Sequence, residues 1–203
     1  QYEGIFGGFL ATPIAPDYFI AAKHVGMSVG QTLVYSGNTY VTDAFVDSPN
    51  SDLRVWHVTT PFSTYAPLYT GTNVIGSDFV VIGRGNERGA DILLGGNLVG
   101  WAWNTTGANL ERWGTNTVTS RVDLGAQYGM TLYATFDHGA GATEAMLSVG
   151  DSSGAVFIKD PADSTWKLAG INSFVDGPFA LDASGTGVFN AALFDARGYY
   201  AKD

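Results

Sequence analysis

A serine flanked by small residues marks the segment of this sequence best suited to covalent chemistry. Residues 150–155 are Gly-Asp-Ser-Ser-Gly-Ala, which makes Ser152 and Ser153 candidate nucleophiles. A serine hydroxyl attacks slowly at neutral pH unless a base removes its proton, a carboxylate orients that base and donors receive the oxyanion. Histidine is the usual base. The chain has three histidines, His24, His57 and His138.

The order of these residues excludes one class of serine hydrolase. Gly150-x-Ser152-x-Gly154 matches the nucleophile elbow of α/β-hydrolases, in which the catalytic histidine follows the serine along the chain. No histidine follows residue 152 here. If Ser152 is the nucleophile, its base must therefore lie upstream.

The remaining candidates also have simpler interpretations. His57 falls on an alternating strand pattern, which is typical of a packed or surface histidine, and His138 falls in a Gly-rich turn. Asp43, Asp47 and Asp52 lack the Asp-x-Asp-x-Asp-Gly spacing of a calcium loop. We therefore expect no metal site and no cofactor.

Composition limits the possible partners. The 203 residues are 45% hydrophobic and 14% charged, which predicts a globular chain. The net charge of −9 disfavours nucleic acid and anionic membranes, and no apolar run approaches 18 residues. Without cysteine, the chain forms neither disulfides nor thiolate zinc sites.

Alternating hydrophobic patterns broken by Gly, Asp, Asn and Pro predict an all-β barrel or sandwich. Ser36-Gly37-Asn38 predicts a hairpin within residues 32–42, and Thr59–Thr72 predicts a connector. The only predicted helix is short, at Ala192–Tyr200, and residues 100–118 predict a long loop or irregular hairpin. The predicted strands are Tyr18–Val25, Leu53–Val58, Phe79–Ile82, Thr131–Phe136, Ala155–Ile158, Trp166–Phe174 and Gly187–Ala191.

Several segments, taken in order, resemble the chymotrypsin-like serine protease family in its cysteine-free bacterial form. Ala21-Ala22-Lys23-His24 is similar to the family's Ala-Ala-x-His, and Asp52-Leu-Arg-Val to its Asp-Ile-Ala-Leu. Gly150–Gly154 is similar to Gly-Asp-Ser-Gly-Gly, with Ser153 in place of a glycine. Leu168-Ala-Gly-Ile-Asn-Ser-Phe174 is similar to the strand that lines the substrate cleft. Further similar stretches are Gly7–Leu10, Phe79–Asn86 and Gly187–Phe189.

The resemblance implies two packed six-stranded antiparallel β-barrels with a short C-terminal helix. The barrels would span residues 1–72, with His24 and Asp52, and residues 73–203, with Ser152 and the substrate cleft. By the same resemblance Ser152 is the nucleophile, His24 the base and Asp52 the carboxylate that orients it. The backbone N–H groups of Gly150 and Ser152 would form the oxyanion hole.

The resemblance also implies a substrate pocket. Met146, six residues before Ser152, would form its floor, and Val175 would narrow its entrance. Without a carboxylate at the floor, we expect cleavage after small or medium apolar residues. Asp151 needs a partner, and bacterial relatives use an internal arginine; Arg84 is the first candidate, followed by Arg112 and Arg121. The complete set of expected substrate-binding residues is Met146, Val149, Ser173, Phe174, Val175 and Gly187.

These expectations describe a monomeric serine endopeptidase that acts on protein or peptide, with neither nucleic acid nor membrane as a partner. The chain begins at Gln1 without a signal-like stretch, so we expect that any export signal has been removed and that the protein is secreted or in the cell envelope. Two alternatives remain: a catalytically silent binding module on the same fold, and a serine esterase with the same residues.

Overall fold

The computed structural model describes residues 1–106 and 109–201. Within these ranges the chain is all-β, as predicted, and its only helical element is a 3₁₀ turn at Lys23–Val25. None of the described residues forms a helix long and apolar enough to cross a membrane.

The first third of the chain is a closed antiparallel barrel. Its strands follow the order β1-β2-β3-β6-β5-β4 around the barrel. Aromatic side chains fill the interior, where Trp56 stacks on Phe19 and meets Phe6 edge to face. The strands are β1 Gly4–Phe6, β2 Phe9–Ala15, β3 Tyr18–Ala22, β4 Thr32–Tyr35, β5 Asn38–Asp47 and β6 Leu53–Val58.

Local sequence explains two features of this barrel. The β4–β5 hairpin turns at Ser36 and Gly37, which both have positive φ, as a two-residue turn that matches strand twist requires. Strand β2 contains Pro13, which cannot donate to a ladder. The β2–β3 register shifts between Pro13 and Ala15, so the proline sits at a bulge.

The described residues of the second part of the chain are not arranged as the expected second six-stranded barrel. Among the described residues this part consists of a four-stranded sheet, β10-β7-β13-β14, and three smaller sheets, β11-β12, β15-β17 and β16-β9-β8. Its first strands are β7 Asp78–Gly83, β8 Glu87–Leu94, β9 Asn97–Asn104, β10 Arg112–Thr117, β11 Ser120–Asp123 and β12 Met130–Tyr133. The others are β13 Ala155–Lys159, β14 Trp166–Ile171, β15 Phe179–Ala180, β16 Ala191–Leu193 and β17 Tyr200–Ala201.

Two further expectations for this part were wrong. The helix at Ala192–Tyr200 does not form, because its first residues belong to β16, which is buried and pairs with β9. The long loop or irregular hairpin expected at residues 100–118 contains parts of two strands. Trp101 and Trp103 lie in β9, and Trp113 lies in β10. Together they line a cavity of about 590 Å³, where the Arg88 guanidinium lies 3.7 Å from the Trp101 ring centre.

The connector between the two parts contains no strand, as predicted. Phe62 packs into the barrel interior, whereas Leu68 forms a bridge with Leu168 of β14. The domain boundary at residue 72 stays a prediction.

Candidate active site

Two neighbouring strands bring His24 and Asp52 together. Strands β3 and β6 pair in antiparallel register up to Ala22 opposite Leu53, and the Lys23 N–H then donates to the Asp52 carbonyl. His24 follows on the 3₁₀ turn, which ends at Gly26 in the left-handed region. Consequently, the end of one strand and the start of its neighbour place both side chains at the same edge of the barrel.

The polar groups of Ser152, His24 and Asp52 form a continuous chain. His24 Nε2 lies 2.8 Å from Ser152 Oγ, and His24 Nδ1 lies 2.5 Å from Asp52 Oδ2. The His24 backbone N–H donates to Asp52 Oδ1 at 3.0 Å. The His24 side chain is 40% exposed and that of Asp52 10%, so the imidazole is open to a substrate while the carboxylate is shielded from water.

Among the described residues, the partners of the Asp151 carboxylate are Gly85 and Ser148 rather than Arg84, which corrects the expectation for that arginine. Its Oδ1 accepts from the Gly85 N–H at 2.7 Å, and its Oδ2 accepts from the Ser148 N–H at 2.7 Å and the Ser148 hydroxyl at 2.9 Å. The Arg84 guanidinium donates instead to the carbonyls of Gly8 and Asn109. Three neutral donors therefore hold Asp151 where an ion pair with Arg84 was the first expectation.

The two adjacent serines occupy different environments. Ser153 is fully buried, and its hydroxyl accepts from the Ala22 N–H at 2.6 Å. The hydroxyl of Ser152 contacts His24 instead. Of the two, only Ser152 is paired with a base.

Two backbone N–H groups beside Ser152 are available to a ligand. Within the part of the chain that the structure describes, neither Gly150 nor Ser152 donates its N–H to an acceptor. Gly150 has φ +97°, and a Cβ there would lie 3.1 Å from the Gly85 Cα, so this position requires glycine. The loop is thus compatible with the expected oxyanion hole.

A cleft of about 660 Å³ opens beside Asp52. Four of the residues expected to bind substrate line it: Met146, Ser173, Phe174 and Val175. Phe174 packs between the rings of Tyr128 and Tyr133 on one wall.

Not every expected pocket residue reaches this cleft. Val149 is 63% exposed and lies outside it. Gly187 also lies outside it, in a turn against Leu181. Two carboxylates that were not expected from the sequence, those of Asp137 and Asp176, line the cleft.

The other two histidines, and the aspartates Asp43 and Asp47, have partners elsewhere. His57 Nδ1 lies 2.5 Å from Asp43 Oδ1, and the His138 ring stacks on Phe194. Asp47 pairs with Arg54, and this guanidinium lowers the pKa of the carboxyl. Among residues 1–106 and 109–201, no cluster of three or more His, Asp or Glu side chains is arranged to hold a metal ion.

Ser148 and Asn172 shape the site but were not predicted from the sequence. The buried Asn172 side chain donates to the carbonyls of Ile82 and Asp151, while Ser148 supplies two of the three donors to Asp151. Asn172 falls within the segment that resembles the cleft strand, but that resemblance does not indicate the role of its side chain. Nothing in the sequence around Ser148 distinguishes it from an ordinary turn serine.

Comparison with known proteins adds little at the level of sequence. No protein-family model and no curated protein matches the chain. The chain is similar to a solved structure from M. tuberculosis H37Rv, Rv3671c, in the inactive form of a serine-to-alanine mutant. That similarity has 12% identity and a TM-score of 0.47, and covers 80% of this chain and 75% of the other.

Proposed function

We propose that this protein is a serine endopeptidase in which Ser152 is the nucleophile, His24 the base and Asp52 the residue that orients His24. The observation that supports this most directly is the continuous set of contacts from Ser152 Oγ through the imidazole to the Asp52 carboxylate. This arrangement can remove the hydroxyl proton, which a serine nucleophile requires.

The proposed reaction has two halves. Ser152 Oγ bonds to the carbonyl carbon of the scissile peptide while its proton moves to His24 Nε2. The N–H groups of Gly150 and Ser152 donate to the resulting oxyanion. His24 then passes the proton to the leaving amine, and the C–N bond breaks to leave an acyl-enzyme. Water repeats the sequence: its proton goes to His24, its oxygen bonds to the acyl carbon, and Ser152 leaves with the proton.

The walls of the cleft favour apolar residues on the acyl side of the cleaved bond. Met146, Phe174 and Val175 contribute apolar surface beside Ser173 and Asp52. Asp137 and Asp176 line the same cleft, so a basic side chain is the competing occupant. An apolar pocket favours one of two substrates that differ by a single methylene group by only about 10- to 200-fold. We therefore expect a graded preference among apolar residues rather than a strict one.

Covalent labelling tests the proposal. A fluorophosphonate should form one adduct, located on Ser152 by mass spectrometry, and Ser152→Ala should abolish both labelling and casein hydrolysis. Ser164→Ala is the matched control, because this exposed serine lies in the turn between β13 and β14, where its N–H donates to Asp160, and its loss should leave both unchanged.

Three results would contradict different parts of the proposal. Absence of an adduct on the wild type would favour a catalytically silent module. An adduct with turnover of esters but not of casein or peptide amides would favour an esterase. In a peptide library, faster cleavage after arginine than after alanine or leucine would overturn the apolar preference and implicate Asp137 or Asp176.

A further inference from the structure

Ser153 connects the loop that carries Ser152 to the strand that leads to His24. Its hydroxyl accepts the backbone N–H of Ala22 at 2.6 Å, and both groups are buried. The two residues are 131 positions apart in the chain. This side chain thus joins the barrel to the second part of the molecule close to both Ser152 and His24.

The Ala22 N–H depends on this bond because the strand ladder ends before it. The β2–β3 pairing stops at Thr12 opposite Ile20, so β2 offers no acceptor at Ala22. On the other side Ala22 lies opposite Leu53, and it is the next residue, Lys23, whose N–H donates to the carbonyl of Asp52, directly before β6. A buried N–H without an acceptor is strongly disfavoured.

Ser153 adopts an unfavourable backbone conformation to make this contact. Its φ is +67°, in the left-handed region that glycine occupies more easily than serine. Its N–H donates to the Asn172 carbonyl at 2.9 Å, which holds the loop against the residue that precedes Ser173. Since a glycine would relieve the conformation but not supply an acceptor, the hydroxyl is the feature that distinguishes serine at this position.

We infer that Ser153 is a positioning residue, whose hydroxyl fixes the distance between His24 and Ser152 by holding the end of β3 against the Ser152 loop. Ala22 lies two residues before His24, and Ser153 directly follows Ser152, so a shift at the Ser153–Ala22 bond changes the 2.8 Å contact between Nε2 and Oγ. The consequence for turnover rests on the proposed endopeptidase function, whereas the consequence for the geometry of His24 does not.

Two substitutions separate the hydroxyl from the backbone conformation. Ser153→Ala removes the hydroxyl and keeps the unfavourable φ, whereas Ser153→Gly removes the hydroxyl and relieves it. We expect both to lower kcat and the fluorophosphonate labelling rate by about 10- to 100-fold, with KM nearly unchanged, because misplacement of reacting groups affects the chemical step. Ser153→Gly should be at least as resistant to thermal unfolding as Ser153→Ala.

Ser164→Gly is the matched control. Ser164 also has a positive φ, +59°, but lies in the exposed turn between β13 and β14. It should show no loss of kcat or labelling rate. If Ser153 were merely structural, the folded Ser153→Gly protein, assayed well below its unfolding temperature, would retain the wild-type kcat, and this result would overturn the inference.

A measurement independent of activity keeps this result distinct from the proposed function. Amide hydrogen exchange by NMR should show Ala22 losing protection by about tenfold or more in Ser153→Gly, together with a changed chemical shift for the His24 ring protons. If the wild type neither labels nor cleaves, the endopeptidase proposal fails, and these two NMR signals alone decide the role of Ser153. Unchanged Ala22 protection and unchanged His24 shifts would refute it.

Discussion

The carboxylate of Asp52 contacts three groups that meet at the candidate site. Its Oδ1 accepts the His24 backbone N–H, and its Oδ2 lies near both His24 Nδ1 and the Ser173 hydroxyl, which donates at 3.1 Å. The backbone bond and the ring contact together fix the rotation of the imidazole. They also favour the tautomer that carries its proton on Nδ1 and leaves Nε2 free to accept one from Ser152.

Asp52→Asn tests this orientation at the scale of one residue. An amide in this position donates toward Nδ1 and favours the opposite tautomer, so His24 Nε2 can no longer take a proton. We expect kcat for peptide hydrolysis to fall on the order of 10⁴-fold with the fold retained. The matched control is Asp43→Asn, which alters the other Asp–His pair, at His57, and should leave kcat unchanged. Comparable losses in the two variants would contradict the proposed role of Asp52.

At the same scale, the sequence predicted side chains better than their partners. The order of histidine and serine placed the base upstream, and the resemblance of the residues around His24 and Asp52 to a known family named the three groups that the structure brings together. The partners of Asp151 could not be predicted, because two of its three donors are backbone N–H groups. Only the tertiary fold determines which backbone groups face a carboxylate.

At the scale of elements, strands with clear alternation were predictable and strands rich in small or polar residues were not. The pattern located β6 at Leu53–Val58 and the hairpin of β4 and β5. It missed β8, β9 and β10. Residues such as Gly, Asn and Thr in these segments are typical of loops, but the backbone of each segment pairs with a neighbouring strand. Pairing depends on partners distant in the chain, and for the same reason the predicted helix at Ala192–Tyr200 covers the last two residues of β16.

Asn172 provides the test at this scale, because it joins three elements. Its side chain donates to Ile82 of β7 at 2.8 Å and to Asp151 in the Ser152 loop at 3.0 Å, while its own backbone continues β14. Asn172→Ala leaves two carbonyls without this donor and should lower the free energy of unfolding by about 1–3 kcal/mol. Urea unfolding would measure the change, with the exposed Asn50→Ala as the control. Equal midpoints for Asn172→Ala and the wild type would contradict the role of Asn172 in holding these elements together.

At the scale of the whole molecule, a buried carboxyl group lies where the barrel meets the four-stranded sheet. Glu3 Oε1 accepts from the hydroxyl of Thr12 in β2 at 2.7 Å, whereas Oε2 is buried and has no partner among the described residues. Burial is the largest of the effects that raise the pKa of Glu3 from 4.5 to about 7. Glu111 also raises the pKa, and hydrogen bonds from Thr12 and the Ala155 backbone, together with the N-terminal amine, lower it. Ala155 begins the strand that follows the Ser152 loop, so the charge of Glu3 bears on the contact between the two parts of the molecule.

This environment predicts stability that falls as pH rises. Because the pKa of Glu3 is higher in the folded chain than in the unfolded one, the folded state holds a proton that the unfolded state releases. The resulting stabilisation is complete below about pH 4.5 and is lost as pH rises through about 7, with a total of roughly 3 kcal/mol. Glu3→Gln keeps the shape of the side chain but carries no charge, so it should match the wild type near pH 4.5 and exceed its unfolding free energy at pH 8 by up to that amount. Denaturant unfolding of both proteins between pH 4.5 and 8 measures the difference, which isolates Glu3 from every other titrating group. Parallel stability curves over this range would contradict the prediction, because they would mean that the pKa of Glu3 is the same in the folded and the unfolded chain.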